Sequence, residues 1–343
     1  MIAQVEPTAA RCDSLAALVA RLQSARGLLG KQEIQLASRV FPRRSVAAQG
    51  EVINGDDAAA IPDGDGYCLI AAEGMLPSFA EADPWFAGFC AVMVNVSDIA
   101  AMGGRALAIV DVLFAGDLVD NERILTGMQD ASETFGVPVV GGHTTSVAGP
   151  SVLAAAIVGR ARQLITSFGA RPGDDLLYAV DLEGAYRGAL NFNAATHSGS
   201  ARLRANVALL PAIAEAGLAS GGKDVSMGGL LGTLAMLCEG SGCGAEVDLS
   251  SVPRPADGDL ERWLLSFPSY GYLLSARPSD SERLRETFAA RGIACAKIGE
   301  CRRTPSSRVG YDGEVVEYRS TLEPLTGYGS AAAAKGTAGR GAP

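Results

Sequence analysis

The chain has 343 residues, 48% of them hydrophobic, so it is too long for one average domain and has enough apolar side chains for two cores. Its 29 basic and 38 acidic residues give a formal net charge of −9, which argues against nucleic acid and anionic membranes as partners. Two histidines are too few for a multi-histidine metal site, and seven cysteines without a C-x-x-C pair are typical of reduced thiols in a cytoplasmic protein. The chain start lacks the pattern of a signal peptide, and no uncharged apolar run reaches about 18 residues, so we expect no membrane span.

The first 48 residues are predicted to form an N-terminal helical arm. Residues 13–41 have the spacing of two helices, with Gly27 and Gly30 as the break between them. Residues 49–163 then alternate apolar strands with helices, which predicts an α/β domain. Its predicted strands are 67–72, 106–115, 137–140 and 152–158, and its predicted helices are 84–102 and 121–135.

A turn signal at Arg171-Pro172-Gly173-Asp174 places a domain boundary near residue 164. A second alternating set follows over 164–320, and we expect an α+β domain there. The Gly- and Ala-rich residues 321–343 are predicted to be a disordered tail. The second domain has predicted strands at 175–180, 245–249, 270–276 and 293–299, a hairpin at 309–318, and helices at 203–216, 230–239 and 280–291, the last with a capping box at Ser279 and Glu282.

Two groups of acidic residues in the first half indicate metal chemistry. Gly55-Asp56-Asp57 places two adjacent carboxylates after a glycine, although this pattern alone is also a common turn. Asn95 and Asp98 stand three residues apart, so they share one face of a helix that is apolar nearly all round. Burying a carboxylate there is costly unless a cation or hydrogen-bond donors compensate. A metal ligand therefore explains Asp98 better than a structural cap does.

Two glycine pairs suit an anion. In Val139-Val140-Gly141-Gly142-His143-Thr144, a strand runs into glycines whose N–H groups can approach phosphate oxygens, although an ordinary turn has the same pattern. Asp224 and Gly228-Gly229 lie at the opening of a helix, where backbone N–H groups also favour an anion. The string from Gly217 to Lys223 reads G-x-x-x-x-G-K, but we reject it as a P-loop because an Asp replaces the required Ser or Thr and a helix precedes it.

The order of these motifs resembles the AIR synthase superfamily, which includes AIR synthase, FGAM synthase, selenophosphate synthetase, thiamine-monophosphate kinase and the hydrogenase maturation dehydratase. The likeness covers residues 50–303 and is denser before 160 than after it. Each motif is weak alone, whereas their order and spacing are specific. The motifs are Gly55-Asp56-Asp57, Glu73 after a strand, Asn95-x-Ser97-Asp98, Gly141-Gly142-x-Thr144 and Asp224-x-Ser226-x-Gly228-Gly229.

The resemblance implies an α/β domain followed by an α+β domain, with the N-terminal sheets of two subunits meeting in a homodimer. It implies ATP in a cleft, Mg²⁺ held by acidic residues, and phosphoryl transfer to a small-molecule acceptor. Mg²⁺ prefers hard oxygen ligands, and phosphoryl transfer needs alignment and charge neutralisation, so the residue types agree. By motif, the metal ligands would be Asp56, Asp57, Glu73 and Asp98, with Asp56 and Asp98 also catalytic. The nucleotide-binding residues would be Asn95, Gly141, Gly142, Thr144, Asp224, Gly228 and Gly229.

Several departures from the family pattern leave the acceptor open. His143, a further catalytic candidate, stands where thiamine-monophosphate kinases have Asp and AIR synthases have Glu, although selenophosphate synthetases share Gly-Gly-His. The reactive N-terminal Cys of selenophosphate synthetases is missing. Only Lys31, the remaining catalytic candidate, stands in a comparable position, where it either reaches a phosphate or is solvated on its helix. Glu73 replaces the usual Asp, and Ser266–Gly271 matches no familiar acceptor-contacting version. Two alternatives to an ATP-dependent kinase or synthase stay open: a nucleotide-binding accessory protein without catalysis, and a scaffold that kept only the fold.

Overall fold

The computed structural model describes residues 14–329 apart from 117, 147 and 148, and it begins with an arm of three short helices. The prediction of two helices broken at Gly27 and Gly30 is wrong, because both glycines lie inside the second helix. A two-stranded hairpin follows the arm. The elements are α1 (Leu15–Gln23), α2 (Arg26–Lys31), α3 (Ile34–Val40), β1 (Arg44–Ala47) and β2 (Gly50–Ile53).

A five-stranded sheet forms the first unit, in the order β3-β4-β7-β5-β6. All neighbouring pairs are antiparallel except β5 and β6, which run parallel. Every strand and helix predicted for this half has a counterpart, with shifted bounds. The strands are β3 (Ala59–Asp63), β4 (Gly66–Met75), β5 (Arg105–Ala115), β6 (Val139–Ser146) and β7 (Val152–Ala161), and the helices are α4 (Pro77–Ala82), α5 (Pro84–Ala101) and α6 (Leu118–Phe135).

Helix α5 connects the two units. It begins at Pro84, and the Asp83 side chain caps it by accepting the Phe86 N–H at 3.4 Å. Most of the helix packs in the core of the first unit, while Ala100 and Ala101 at its end belong to a core of the second. By length and composition it is the one helix of the described residues that could cross a membrane, yet 89% of that window is buried inside the protein. Its burial is that of a core helix, and it carries its last turn to the junction of the units.

The second unit contains a seven-stranded sheet in the order β11-β14-β8-β15-β12-β16-β17 and a small sheet in the order β13-β10-β9. This mixture of helices and largely antiparallel strands agrees with the predicted α+β class. The large sheet comprises β8 (Asp175–Val180), β11 (Gly221–Asp224), β12 (Gly244–Asp248), β14 (Gly271–Ala276), β15 (Ala294–Arg302), β16 (Ser306–Tyr311) and β17 (Glu314–Ser320). The small sheet comprises β9 (Ala185–Arg187), β10 (Asn191–Asn193) and β13 (Phe267–Pro268). The helices are α7 (Ser200–Val207), α8 (Leu209–Glu215), α9 (Gly229–Ser241), α10 (Leu260–Leu264) and α11 (Pro278–Ala289).

Two helix predictions in this unit need correction. The helix predicted over 203–216 is two helices, and the break keeps Pro211 in the first turn of α8, where its missing N–H is harmless. The capping box at Ser279 does not form, because α11 already begins at Pro278 and its N-cap makes no side-chain hydrogen bond. The predicted hairpin is confirmed. Its central residues Asp312 and Gly313 have φ of 49° and 82°, as a type I′ turn requires.

The prediction of a disordered tail from residue 321 is wrong for residues 321–329, which pack against α9 and the turn after β2. The buried Glu239 carboxylate accepts the backbone N–H groups of Leu325, Thr326 and Gly327 at 2.8–3.2 Å. The Tyr328 ring lies on Gly55, where an added Cβ would come within 2.5 Å of Tyr328. Residues 330–343 lie outside the described residues.

Candidate active site

Three acidic side chains from distant parts of the chain meet at the junction of the two units. Asp57 lies in the turn after β2, Asp98 in the last turn of α5, and Asp224 at the end of β11. One carboxylate oxygen from each lies within 4.8 Å of the other two. The Asp224 backbone N–H also donates to Asp57 Oδ2 at 3.2 Å. We call these three residues the acidic centre.

The acidic centre is poorly hydrated and crowded with negative charge. Asp98 is 6% exposed and Asp224 is 4% exposed. Burial raises the pKa of Asp98 well above its ordinary value, and the neighbouring carboxylates Asp224, Glu73 and Asp57 raise it further. Burial, and then the charge of Asp57, raises the pKa of Asp224 to about 8. Asp98 Oδ2 has no hydrogen-bond partner among the described residues, so a buried acceptor is left for a group that the protein does not supply.

Lys223 places a cation beside the acidic centre. It is buried and forms an ion pair with Asp57. Burial alone would lower the pKa of Lys223, but the carboxylates of Asp57, Asp56 and Asp224 outweigh burial and raise it. Lys223 therefore stays protonated and offsets one negative charge. Gly222 and Lys223 lie inside β11, so the structure agrees with the rejection of a P-loop here.

Asp56, predicted as a metal ligand, fixes the connection between the units. Both of its carboxylate oxygens accept the Ser167 N–H, at 3.2 and 3.0 Å, and Oδ1 also accepts the Asp57 N–H at 3.0 Å. Burial, aided by the charge of Asp57, raises the pKa of Asp56 to about 7. Asp56 lines the cleft but does not belong to the acidic centre, whose third member is Asp224, predicted only to bind nucleotide.

The cleft has two lobes that share Lys31, Glu73, Asp98, Asp224 and Ser226. The polar lobe, of about 170 Å³, contains the rest of the charged groups. The apolar lobe, of about 240 Å³, carries hydrophobic side chains on its remaining wall. The polar lobe is further lined by Gly55, Asp56, Asp57, Lys223, Thr326 and Tyr328. The apolar lobe is further lined by Met75, Leu76, Phe79, Val94, Met227 and Phe267, with Asn191 as an additional polar group.

Helix α2 brings Lys31 into the cleft wall because Gly27 allows close approach to the turn before α9. A Cβ added to Gly27 would lie 1.8 Å from the Met227 carbonyl oxygen. Lys31 opposes the upward pKa shifts of Glu73 and Asp224, as a nearby cation must. Lys31 lines the cleft, and its predicted contact with a phosphate stays a prediction.

Replacing Gly27 with alanine is expected to push α2 away from the cleft. The clash is with backbone, so we expect the free energy of unfolding to fall by about 3 kcal/mol and Lys31 to move out of the cleft wall. Gly30→Ala in the same helix is the matched control, because nothing lies within 4 Å of its added Cβ. That variant should gain about 0.5–1 kcal/mol from helix propensity. Urea denaturation measures both, and equal stabilities would contradict this account of Gly27.

The predicted nucleotide-binding pair Gly228-Gly229 forms the turn into α9. Gly229 has φ of +66°, and an added Cβ would lie 2.1 Å from the Leu264 carbonyl oxygen, so this glycine is required by packing. The neighbouring Ser226 and Met227 line the cleft, whereas the two glycines do not. Nucleotide binding by the glycines stays a prediction.

Asn95, also predicted to bind nucleotide, lies in the core. It is fully buried, and its side-chain amide donates to the carbonyl oxygens of Ala91 at 2.8 Å and Ala155 at 3.3 Å. The three-residue spacing from Asp98 is helical as expected, but Asp98 reaches the cleft and Asn95 faces strand β7. This position gives Asn95 a structural role between α5 and the sheet.

The predicted phosphate loop at Gly141-Gly142 is instead part of a strand. β6 extends through Ser146 because its residues pair in parallel with β5, an interaction that a local pattern cannot reveal. Gly141, Gly142, His143 and Thr144 are exposed on this edge strand and line neither lobe. Their predicted nucleotide-binding and catalytic roles are not supported by this geometry within one chain.

The acidic centre fits a hard divalent cation. Three carboxylate oxygens within 4.8 Å of one another are close enough to act together as ligands of one divalent cation, and the unpartnered Asp98 Oδ2 is an open ligand position. Glu73 stands beside the centre, exposed to the cleft, and desolvation there raises its pKa. Asp57, Asp98 and Asp224 would hold the cation. Lys223, Thr326 and Tyr328 were not predicted as site residues, and only the charge of Lys223 beside Asp224 offered a signal.

Comparison with family models assigns both units. The model described as AIR synthase related protein, N-terminal domain, matches residues 55–161, and the corresponding C-terminal domain matches residues 183–312. An uncharacterized protein of Synechocystis sp. is 49% identical over 284 residues, covering 82% of this chain and 88% of its own. The chain belongs to the AIR synthase-related family. The predicted superfamily and two-domain fold are therefore confirmed.

Further relatives of this AIR synthase-related protein carry functional names. A thiamine-monophosphate kinase of Caulobacter vibrioides is 27% identical over 274 residues, covering 71% of this chain and 77% of its own. T. maritima PurL complexed with ATP has a TM-score of 0.69 at 20% identity over 91% of this chain, which spans about half (55%) of the PurL chain. AaThiL complexed with AMPPCP and TMP has a TM-score of 0.62 at 19% identity, covering 84% of this chain and 94% of its own. At such identities the structural matches establish the fold.

Proposed function

We propose that this protein binds ATP with Mg²⁺ at the acidic centre and transfers the γ-phosphoryl group to a small-molecule acceptor. The observation that carries the proposal is the convergence of Asp57, Asp98 and Asp224 from three distant segments, with the buried Asp98 Oδ2 lacking a hydrogen-bond partner in the described part of the chain. Burying a cluster of carboxylates is costly in free energy, and a bound cation in the working state offsets that cost. Relatives named for ATP complexes support the nucleotide.

The proposed chemistry places the phosphates in the polar lobe and the acceptor in the apolar lobe. Mg²⁺ would neutralise phosphate charge and align the reacting groups. The bond between the γ-phosphorus and the β–γ bridging oxygen breaks, releasing ADP, while an acceptor oxygen or nitrogen bonds to that phosphorus. Glu73, exposed where the lobes meet, accepts the acceptor's proton. Lys31 and Lys223 hold phosphate oxygens and limit the repulsion between phosphates and carboxylates.

A combined binding and turnover experiment tests the proposal. The full chain should bind AMPPCP only with Mg²⁺, with a rise in melting temperature, and should release ADP from ATP when a panel of acceptors is supplied. Because protons compete with the cation for Asp224, whose pKa is about 8, Mg²⁺ affinity should weaken as the pH falls below about 8. Absence of any Mg²⁺–AMPPCP binding would refute the proposal and favour a scaffold that kept only the fold of the family.

A nucleotide-binding accessory protein without catalysis is the second candidate. It is favoured by the position of Gly141-Gly142 and His143, which line neither lobe of the single chain. This candidate predicts Mg²⁺–AMPPCP binding without ADP release for any acceptor tested. The same two measurements therefore separate it from the kinase or synthase.

We also propose that the outer face of the five-stranded sheet, turned away from α5 and α6, pairs two copies in a homodimer. Alternate residues on its strands are apolar and exposed, and a patch of this kind is typical of an interface. Dimerisation would bring the exposed β6 residues of one copy against the sheet of the other. The exposed apolar residues of this face are Ile70, Val110, Val112, Phe114 and Val152.

Val112→Glu is expected to convert the dimer to a monomer, because it places a charge in the middle of the apolar face. Sedimentation velocity at micromolar concentration measures the change. Leu36→Glu is the control, since Leu36 is 67% exposed on α3 and lies outside this face. A monomeric native protein, or a dimer that survives Val112→Glu, would refute the interface.

A further inference from the structure

The apolar lobe is lined by charged groups as well as by hydrophobic side chains. Besides its hydrophobic side chains, the lining contains three carboxylates, Glu73, Asp98 and Asp224, and one ammonium group, that of Lys31. The formal charge of this lining is −2, which a single Mg²⁺ cancels. Among the described residues that line the apolar lobe there is no arginine and no second lysine.

Lys31 is not free to recruit another anion. Lys31 lines both lobes, and the proposed function assigns its ammonium group to the nucleotide phosphates in the adjoining polar lobe. The remaining polar side chains, Asn191 and Ser226, are neutral. A phosphate group on the acceptor would therefore enter a site with no unused positive charge, next to both the carboxylates and the nucleotide phosphates.

The size and shape of the wall limit the body of the acceptor. The lobe encloses about 240 Å³, below the roughly 300 Å³ at which sites for drug-sized ligands begin. Two aromatic rings, Phe79 and Phe267, and two methionines, Met75 and Met227, are among the residues of its hydrophobic wall. Aromatic rings and thioethers pack well against a planar ring.

We infer that the acceptor is a small compound with an apolar ring and an accepting amine or hydroxyl group, neutral or cationic, and without a phosphate of its own. The inference rests on the proposed function, because it assumes that the nucleotide phosphates and Mg²⁺ occupy the polar lobe. It assigns the apolar lobe to the acceptor and not to the adenine base. The bound acceptor and the nucleotide must then occupy the cleft together.

Benzylamine and benzyl phosphate test the inference, because they share a ring that fits the lobe and differ in charge. Ligand-observed NMR titrations would use the full chain saturated with Mg²⁺ and AMPPCP. We expect benzylamine to bind at least about tenfold more tightly than benzyl phosphate. Equal or tighter binding of benzyl phosphate overturns the inference. A second titration without AMPPCP also tests it, because benzylamine binding that is lost when AMPPCP is added overturns the inference as well.

A charge introduced into the apolar lobe provides a second test of the inference. Asn191→Arg should reverse the preference, because it supplies the missing cation for benzyl phosphate and repels benzylamine. Leu190→Arg is the matched control. It adds the same charge at the adjacent exposed residue, which does not line the lobe, and should leave the native preference. An unchanged preference in Asn191→Arg counts against the lobe as the binding site.

The outcomes separate this inference from the proposed function. If Mg²⁺–AMPPCP binds but neither benzyl compound binds at millimolar concentration, the acceptor assignment falls and the nucleotide site stands. If Mg²⁺–AMPPCP fails to bind, both the proposed function and this inference are refuted.

Discussion

Replacing Asp98 with asparagine is expected to reduce Mg²⁺-dependent ATP turnover by about 10²- to 10³-fold, the loss seen when one electrostatic contact to a transition state is removed. The amide keeps the shape of the side chain but removes the charge that would hold Mg²⁺ in the acidic centre. Folding should not suffer, because burial opposes the ionised form of Asp98 and raises its pKa. Steady-state ADP release and the midpoint of urea unfolding measure the two effects.

Asp111→Asn is the matched control for Asp98→Asn. Asp111 is also a buried aspartate of the first unit with a raised pKa caused by burial, and its Oδ2 also has no hydrogen-bond partner among the described residues. It lies on β5 and lines neither lobe. Turnover should therefore survive in Asp111→Asn. Full turnover in Asp98→Asn would refute the catalytic role of the acidic centre.

The elements around the acidic centre could be predicted because their causes are local. An apolar helix with Pro84 at its start and Asp83 before it predicts α5 within one residue, and an aspartate amid apolar residues predicts a buried carboxylate. The order and spacing of the motifs predicted Asp57 and Asp98 as residues of the site. They also pointed to Asp224, although its place beside the other two carboxylates depends on the packing of β11 against α5.

The features that sequence reasoning missed depend on contacts between residues far apart in the chain. The ion pair of Lys223 with Asp57 joins residues 166 positions apart. The two glycines at 141 and 142 resemble a phosphate loop locally, but parallel pairing with β5 makes them a strand. The apolar lobe also depends on long-range contacts, because its wall combines α4, α5 and β13 with the turn before α9.

Composition also gave a wrong prediction for residues 321–329, because it does not reveal long-range contacts. The Gly- and Ala-rich composition from residue 326 onwards indicates a chain that cannot bury a core of its own. A single buried carboxylate, that of Glu239, nevertheless fixes the segment by accepting hydrogen bonds from successive backbone N–H groups. Because Thr326 and Tyr328 then line the polar lobe, the order of this segment bears directly on the candidate site.

Replacing Glu239 with alanine is expected to release residues 321–329 and to lower the free energy of unfolding by about 3 kcal/mol or more. The change removes a charged acceptor and leaves three backbone donors and the Thr326 hydroxyl without it. Glu239→Gln keeps one acceptor oxygen and should show an intermediate loss. Urea denaturation gives the stabilities, and trypsin cleavage after Arg319 reports release of the segment.

The functional consequence of Glu239→Ala should appear in the polar lobe. Once Thr326 and Tyr328 leave its wall, Mg²⁺–AMPPCP affinity should fall by about tenfold, measured by calorimetry at a temperature where the variant is folded. Glu317→Ala on β17 is the control. Glu317 is exposed, so its loss should change stability by no more than about 0.5 kcal/mol and leave the affinity intact. If Glu239→Ala matches this control in both stability and affinity, the segment has no part in the site. A loss of stability with native affinity would assign Glu239 to folding alone.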